Sequence, residues 1–388
     1  MLKVDGHFQI NLTIDGAESI GIPTPELREL ELIEVAGVGL PMVKGLVVCY
    51  DHEARALFHE GNKLTISYGI GNGEKDDIVD TKFIMTHISV TRTNAQYNIG
   101  FTGLYDAMSY LVEHKQRAFS DVSAIEAIVT VAKDHFAADF VDSNVEKSND
   151  RMTWLQAAIP DKKFISDTWM HADLPESFPM IAISVDGHFR IRDLATLIAT
   201  DGAKPAWQFF PDIKEGDDPT KLWYHGDYHI DTNSGFMNHW LGYGNTLDVR
   251  DVELGEYEEV LEHSAPQLAK ASAFPRNADA DGRRGTPQPL NDNEHPRYWH
   301  AYQQNTTQLA LYSTVSVKLS FDDKLHKNMR VLDLVYFAEA NSNQEQYDNP
   351  FTGLYVISKL SRKFSHNTIV TTVELSRETL TDIKGAVR

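Results

Sequence analysis

The segment from Asn349 to Leu380, NPFTGLYVISKLSRKFSHNTIVTTVELSRETL, leaves the chain few ways to fold. It reads as a long antiparallel hairpin with β-branched residues on both faces, turning at Ser365-His366-Asn367 with Asn in the left-handed region. In the first strand, period-two alternation places Leu354, Val356 and Leu360 on one face and Tyr355, Lys359, Ser361 and Lys363 on the other. In the second, Ile369, Thr371, Val373 and Leu375 alternate with Val370, Thr372, Glu374 and Ser376. A lone hairpin cannot bury its apolar face, so partner strands are required. Thr314 to Ala338 offers them. Val315, Val317, Leu319 and Phe321 alternate, Asp322 to Asn328 turns, and Val331 to Phe337 continues. The expectation is a closed barrel or sandwich.

Residues 1 to 103 carry the same signal. Phe8, Ile10, Leu12 and Ile14 alternate with His7, Gln9, Asn11 and Thr13, and Asp15-Gly16 ends the run as a turn. Leu30 and Leu32, Leu46 to Tyr50, Leu64 to Tyr68, Phe83 to Arg92 and Tyr97 to Phe101 bring the expected total to six or seven strands. That spacing predicts a small barrel or sandwich. Gly69, Gly71 and Gly73 are expected to open an acidic loop, Glu74 to Asp80. They are no phosphate cradle, because the second half of a GxGxxG pattern, an apolar helix and a Walker Lys-Ser/Thr are all missing.

The period then lengthens. Leu104, Met108, Leu111 and Val112 suit a helix. Ser120 to Phe136 (or Val122 to Phe136) reads as a second, with a Ser123/Glu126 capping box and a buried stripe of Ile125, Ile128, Val129, Ala132 and Phe136. Arg151 to Gln156 starts a further segment, and Asp161 to Met170 looks helical. Met180 to Val185 and His188 to Ile191 form a hairpin across Asp186-Gly187. Lys204 to Thr220 is loop-rich. Leu222 to Val260 returns to aromatic-rich β character, with Trp223, Tyr224, Tyr228, Phe236, Trp240 and Tyr243. Ser264 to Pro296, with five prolines, is expected as an extended arm or long loop. Two phrases recur: VDGHF at Val4 and Val185, and FTGLY at Phe101 and Phe351. Their separations differ, so there is no tandem repeat. The FTGLY echo is read as a trace of two related β modules.

Composition narrows the function classes. The chain has 388 residues, room for two to four domains, and no apolar run long enough to cross a bilayer as a helix. MLKVDGHFQINL lacks a signal-peptide core, so no secretory signal is expected. Cys49, the single cysteine, lies in an apolar run and is expected buried and inert. A charge of −20, from 36 basic and 56 acidic residues, argues against sequence-reading contact with nucleic acid.

Candidate chemistry is sparse. In a strand, His225, Asp227 and His229 would point to one face, with His239 to complete a metal set; a polar sheet face reads the same way. Acids are abundant enough for a glycosidase pair, yet no pattern singles one out. GxSxG is absent, and a buried thiol is a poor nucleophile. Ser148 to Trp154 and Pro296 to Tyr302 are polar-aromatic, fit for sugar or for a subunit interface. No catalytic, cofactor-binding or metal residue is assigned. The alternatives are a carbohydrate-binding or carbohydrate-degrading β protein of a virion, and a metal-dependent hydrolase at His225, Asp227 and His229.

The order of polar turn, apolar strand, TGLY strand, hairpin and final L-x-R strand resembles the central hub proteins of phage tail baseplates. It is also similar to the N-terminal half of type VI secretion spike proteins. The helix over Val122 to Phe136 followed by Thr153-Trp154-Leu155 fits that resemblance; Ser264 to Pro296 has no counterpart in it. The resemblance implies an α+β, mainly β fold, with two tube-like antiparallel barrels flanking a mixed α/β domain. The expected boundaries are 1–103 for the first barrel, 104–220 for the mixed domain, 221–263 for the start of the second barrel, 264–303 for the arm and 304–388 for the rest of that barrel. It further implies a non-enzymatic homotrimer in the virion, assembled in the host cytoplasm. Its implied partners are tail tube, spike and other baseplate proteins, with DNA passing through the lumen unread and no membrane insertion.

Overall fold

The computed structural model describes residues 7–15, 20–22, 26–50, 52–71, 78–141, 145, 148–174, 178–193, 205–211, 222–232, 246–251, 257–261, 288–290, 293–312, 315–322, 328–339, 351–365 and 368–377. The first β region holds β1 (His7–Asp15), β2 (Ile20–Ile22), β3 (Leu27–Val35), β4 (Met42–Cys49), the short helix α1 (His52–Ala56), β5 (Lys63–Gly71), β6 (Ile78–Thr93) and β7 (Gln96–Tyr105). The mixed part follows with α2 (Met108–Val112), β8 (His114–Val122), α3 (Ala124–Ala132), β9 (Ala137–Val141), β10 (Met152–Pro160), α4 (Asp161–Met170), β11 (Pro179–Ile183) and β12 (His188–Asp193). Next come β13 (Trp207–Phe210), β14 (Leu222–Tyr224), β15 (Tyr228–Thr232), β16 (Thr246–Asp251), β17 (Tyr257–Leu261), β18 (Gln288–Leu290) and α5 (Tyr298–Leu311). The chain ends in β19 (Val315–Asp322), β20 (Leu334–Phe337), β21 (Gly353–Ser365) and β22 (Thr368–Arg377). The class is α+β, mainly β.

The two β regions share one sheet. Its order is β14-β13-β20-β21-β3-β4-β7-β6-β5-β1-β2, with β22, β19 and β15 stepping off the other side of β21. The join is the antiparallel ladder of β21 with β3, from Lys359↔Val35 to Phe364↔Leu30. Among the described residues, no strand pairing closes either region on itself. The C-terminal hairpin finds the required partners on both sides: β19 on β22 and β20 on β21.

The face assignment within β21 changes. A bulge at Ser358 separates the Ile357↔Leu375 pair from Lys359↔Glu374. The extra residue inverts the parity of the strand. Tyr355 and Ile357 therefore share the face of Leu360, Arg362 and Phe364, while Leu354 and Val356 lie on the opposite one. Both faces are covered, and Leu354 to Ser358 is buried without a break.

Other boundaries also move. The first turn of the expected Ser120–Phe136 helix is strand: β8 runs to Val122 and pairs with β10. The capping box at Ser123 and Glu126 starts the helix where it stands. Phe136 lies beyond the helix yet stays in the core. Leu104 belongs to β7, so only Met108–Val112 is helical there. Gly69 and Gly71 are ladder residues of β5, paired with Gln9 and His7, instead of loop openers; Gly73 lies outside the described residues. β6 begins at Ile78, inside the expected acidic loop. In the segment read as an arm, Gln288–Leu290 pairs with β16. The adjoining Tyr298–Leu311 forms a helix that no sequence signal announced. FTGLY ends β7 in its first copy and opens β21 in its second, so the copies sit at opposite ends of their strands.

Two networks hold the mixed part. Asp161, at the start of α4, accepts from Lys115 Nζ at 2.8 Å, His135 Nε2 at 2.7 Å, Gln156 Nε2 at 2.7 Å and the Arg117 guanidinium. Burial works to raise its pKa, but these hydrogen bonds outweigh it and hold the carboxyl down at about 2. His171, at the end of α4, stacks on Tyr298 with centroids 3.6 Å apart and donates through Nδ1 to the Tyr298 carbonyl at 3.1 Å. Asn305 of α5 donates to the Met170 and Ala172 carbonyls at 3.0 and 2.8 Å, closing the frayed end of α4. Burial pushes the His171 imidazole down to about 4, with the nearby His295 adding to the shift.

Two outcomes are expected. The unfolded chain binds a proton at His171 from pH ~6.5 downward and the folded chain only near 4. Stability should therefore fall across that window as pH drops, by up to about 3 kcal/mol for one histidine. The Asp161 contribution is lost only below its ordinary pKa, as pH falls on towards 2. Urea titrations at stepped pH read the slope, and H171L should flatten it between pH 6.5 and 4. In the first β region, a β-carbon on Gly45 would overlap the buried Phe101 ring. G45A should cost about 1–3 kcal/mol in the same titration at pH 7.

Candidate functional site

Glu34 and Arg362 meet where the two large apolar clusters touch. Along β21, Leu360 belongs to one cluster and Phe364 to the other, with Arg362 between them. Along β3, Leu32 belongs to the second cluster and Ala36 packs on the first, with Glu34 between them. Arg362 Nη1 donates to Glu34 Oε1 at 3.3 Å, and Nη2 donates to the Met329 carbonyl at 2.7 Å. Both side chains are almost fully buried, at 2–3% exposed. Burial works to lower the Arg362 pKa, but Glu34 more than offsets it and the guanidinium stays charged. Burial raises the Glu34 pKa against the pull of Arg362, and its Oε2 has no hydrogen-bond partner among the described residues; charges this dry are tolerated only with a partner.

The β11–β12 turn plugs the same seam. Val185 sits in the core of the first β region, its N–H donating to Glu34 Oε1 at 2.9 Å and its carbonyl accepting from Thr81 Oγ1. Asp186 accepts from Arg330 Nη2 at 2.7 Å. Gly187 turns at φ 80° directly under the Tyr105 hydroxyl, where a β-carbon would collide. Just beyond, Gly37 N–H donates to the Ile181 carbonyl at 2.6 Å, and Ala36 N–H to the Ser358 carbonyl at 2.8 Å. Arg190 donates to Asp333 at 3.0 Å and to the Val331 carbonyl at 2.7 Å, while Trp207 Nε1 donates to Asp333 at 3.0 Å. First β region, mixed part and last β region are therefore locked at one place. The arrangement fixes orientation and offers no reactive group to solvent.

The sequence-derived candidates do not assemble. His225 lies in the link between β14 and β15, outside any strand, so alternation does not govern it. Its ring is buried and Nε2 lies 2.8 Å from the Ala338 carbonyl. Asp227 and His229 are exposed, and His229 instead faces Asp231 at 3.2 Å. His239 lies outside the described residues. Among the described residues, no group of three or more His, Cys, Asp or Glu is placed to hold a metal. In Ser148 to Trp154, Asp150 accepts from the Ala124 and Asp173 N–H groups at 3.0 and 2.8 Å, and Trp154 Nε1 donates to the Val122 carbonyl at 3.1 Å. Tyr298 and Tyr302 pack around His171. These aromatic faces are occupied inside the fold. Cys49 is buried, as expected. No helix among the described residues is long and apolar enough to cross a membrane.

The seam pair was missed by sequence reading, although a signal exists. Glu34 shares the parity of Leu30 and Leu32, and Arg362 that of Leu360 and Phe364. An acid and a base, each on the apolar face of its strand, call for one another.

Breaking this pair should be costly. E34A leaves Arg362 buried and uncompensated, and should lower stability by about 3–5 kcal/mol in chemical denaturation. Replacing both charges with apolar residues of similar volume, E34L with R362M, should recover most of the loss. A double variant no better than E34A would show that the neighbouring turn, and not the ion pair, holds the seam.

No protein-family model and no curated protein matches the sequence. Solved structures do. The fold is similar to that of a tail protein from Neisseria meningitidis MC58 (TM-score 0.55, 9% identity, 96% of this chain and 97% of that one). It is equally similar to the 43 kDa tail protein of prophage MuSo2 from Shewanella oneidensis (TM-score 0.55, 9% identity, 99% and 100%). An Escherichia coli component of the type VI secretion system lies further off (TM-score 0.48, 6% identity, 97% and 78%). The resemblance read from the sequence is thus met in the fold, which this chain shares with these two tail proteins over nearly its whole length.

Proposed function

We propose that this protein is a structural component of a phage tail, the central hub of its baseplate. The observation that carries the reading is the reach of the likeness, end to end on both sides for the Neisseria and Shewanella tail proteins. In this reading, residues 1–103 form one tube-like module, and 221–263 with 304–388 form its sibling. Residues 104–220 are the mixed domain between them, and 264–303 an arm that docks on a neighbour. Three copies set six such modules around a bore, which adapts a sixfold tail tube to a threefold spike by symmetry alone. A module pair can do this only at a fixed mutual angle, and the Glu34–Arg362 seam with its Val185 plug supplies the rigidity. The chain's charge of −20 keeps DNA from adhering to the bore on its way through. Its partners are further copies of itself, the tail tube, the spike and other baseplate proteins. Its place is the virion, after assembly in the host cytoplasm, and it performs no catalysis.

Light scattering on the purified chain tests the reading. The expected species has three times the 43.7 kDa chain mass, alone or once the neighbouring spike protein is added. A particle that remains at 43.7 kDa under both conditions would overturn it.

A further inference from the structure

At the end of the first β region farthest from the seam, cationic and aromatic side chains gather on a chain of the opposite overall charge. Past Met85, β6 has only β7 beside it among the described strands, and this β6–β7 ribbon, flanked by β4 on the β7 side as far as Tyr97, turns at Asn94 and Ala95, with Asn94 at φ 56°. Arg92 lies across the ribbon from Tyr97. Arg55, in the last turn of α1, reaches the same ring. Each guanidinium carbon is 5.7 Å from the Tyr97 centroid, and the His52 ring is 6.2 Å away. Among the described residues neither arginine forms an ion pair, and Arg92 Nε donates to the Asn94 carbonyl at 3.3 Å. Cys49 pairs with Tyr97, which sets Tyr50 level with the ribbon tip. Tyr50 is 62% exposed, and Val90 on the ribbon 40%. Eight strand steps along β3 place this end roughly 25 Å from Val35 and the seam.

Two arginines held against one tyrosine are pre-ordered by cation–π attraction, so little side-chain freedom is lost on binding. Arginine and tyrosine, next to exposed apolar groups, are the residue types that concentrate binding energy at protein contacts. Copies of a chain with 56 acidic and 36 basic residues repel one another, and their association needs a local positive complement. We infer that Tyr50, His52, Arg55, Arg92 and Tyr97 form the contact by which one copy grips an acidic surface of the next. The inference rests on the multi-copy assembly proposed above.

The test uses the full chain, with the spike protein present if the trimer requires it. R55E/R92E is compared with a control of equal charge change on exposed lysines elsewhere, K82E/K133E, and each variant's urea midpoint is checked against wild type. R55Q/R92Q replaces the reversal if that variant unfolds. Raised salt should weaken wild-type assembly. R55E/R92E should weaken it by at least about tenfold in the dissociation constant while the control changes little. A photoreactive residue at Ala95 should cross-link to an acid-rich segment of a second copy. Assembly that forms equally well in R55E/R92E and the control overturns the assigned patch and leaves the hub reading standing. A wild-type chain that never self-associates overturns both. Binding to duplex DNA that disappears in R55E/R92E, read by fluorescence anisotropy, would give the patch to nucleic acid and overturn the copy-to-copy contact.

Discussion

The buried pair of Glu34 and Arg362 governs how this molecule is put together. It lies on neighbouring strands whose residues are 328 positions apart in sequence. Apolar packing alone would let two clusters meet at a range of angles, because the hydrophobic effect is non-directional. An ion pair without water is directional. The bonds that Glu34 Oε1 accepts from Arg362 and the Val185 N–H, and the one that Arg362 donates to the Met329 carbonyl, belong to one geometry. The pair therefore adds little net stability for its cost, yet selects a single relation among three parts of the chain. A component whose work is to hold a shape needs that selection more than it needs further stability.

The sequence disclosed what is periodic. The alternation of Val315, Val317, Leu319 and Phe321 appears in the structure as a strand with the same residues buried. The Ser123/Glu126 box caps α3, and the Met180–Ile191 hairpin turns at the expected residues. The need of the last hairpin for partner strands also followed from physics alone. What failed was the assumption that alternation runs unbroken. A bulge adds one residue and no composition signal, so the Ser358 inversion left Leu354 and Val356 on the wrong face. Short elements were lost for a related reason. α1 and β18 are too brief to show a period, and α5 carries glutamines and asparagines where a stripe was sought.

The site reading diverged further. His225, Asp227 and His229 look like a set only if the backbone between them is extended, and a link between strands is not. Conversely, nothing in a local window joins Glu34 to Arg362, or Arg55 and Arg92 to Tyr97. The parity of the seam charges was visible on each strand separately, but their meeting depends on a ladder that only the tertiary fold creates. Local patterning speaks of elements; the relation between distant elements is where both the seam and the exposed cationic corner reside.

That ladder also imposes an order in time. β3 is made well before its partner β21; Ser361 and Glu31, hydrogen-bonded across the join, are 330 residues apart. At ribosomal speeds of about 5–20 residues per second, the β3 edge waits roughly 15–65 s before its neighbour is available. An unpaired edge is a template for the wrong strand, including that of a sister chain on the same message. The acid at Glu34, pointing inward and unmatched until Arg362 arrives, makes that edge a poor host for any apolar intruder. The charge that later aligns the finished molecule thus guards the unfinished one.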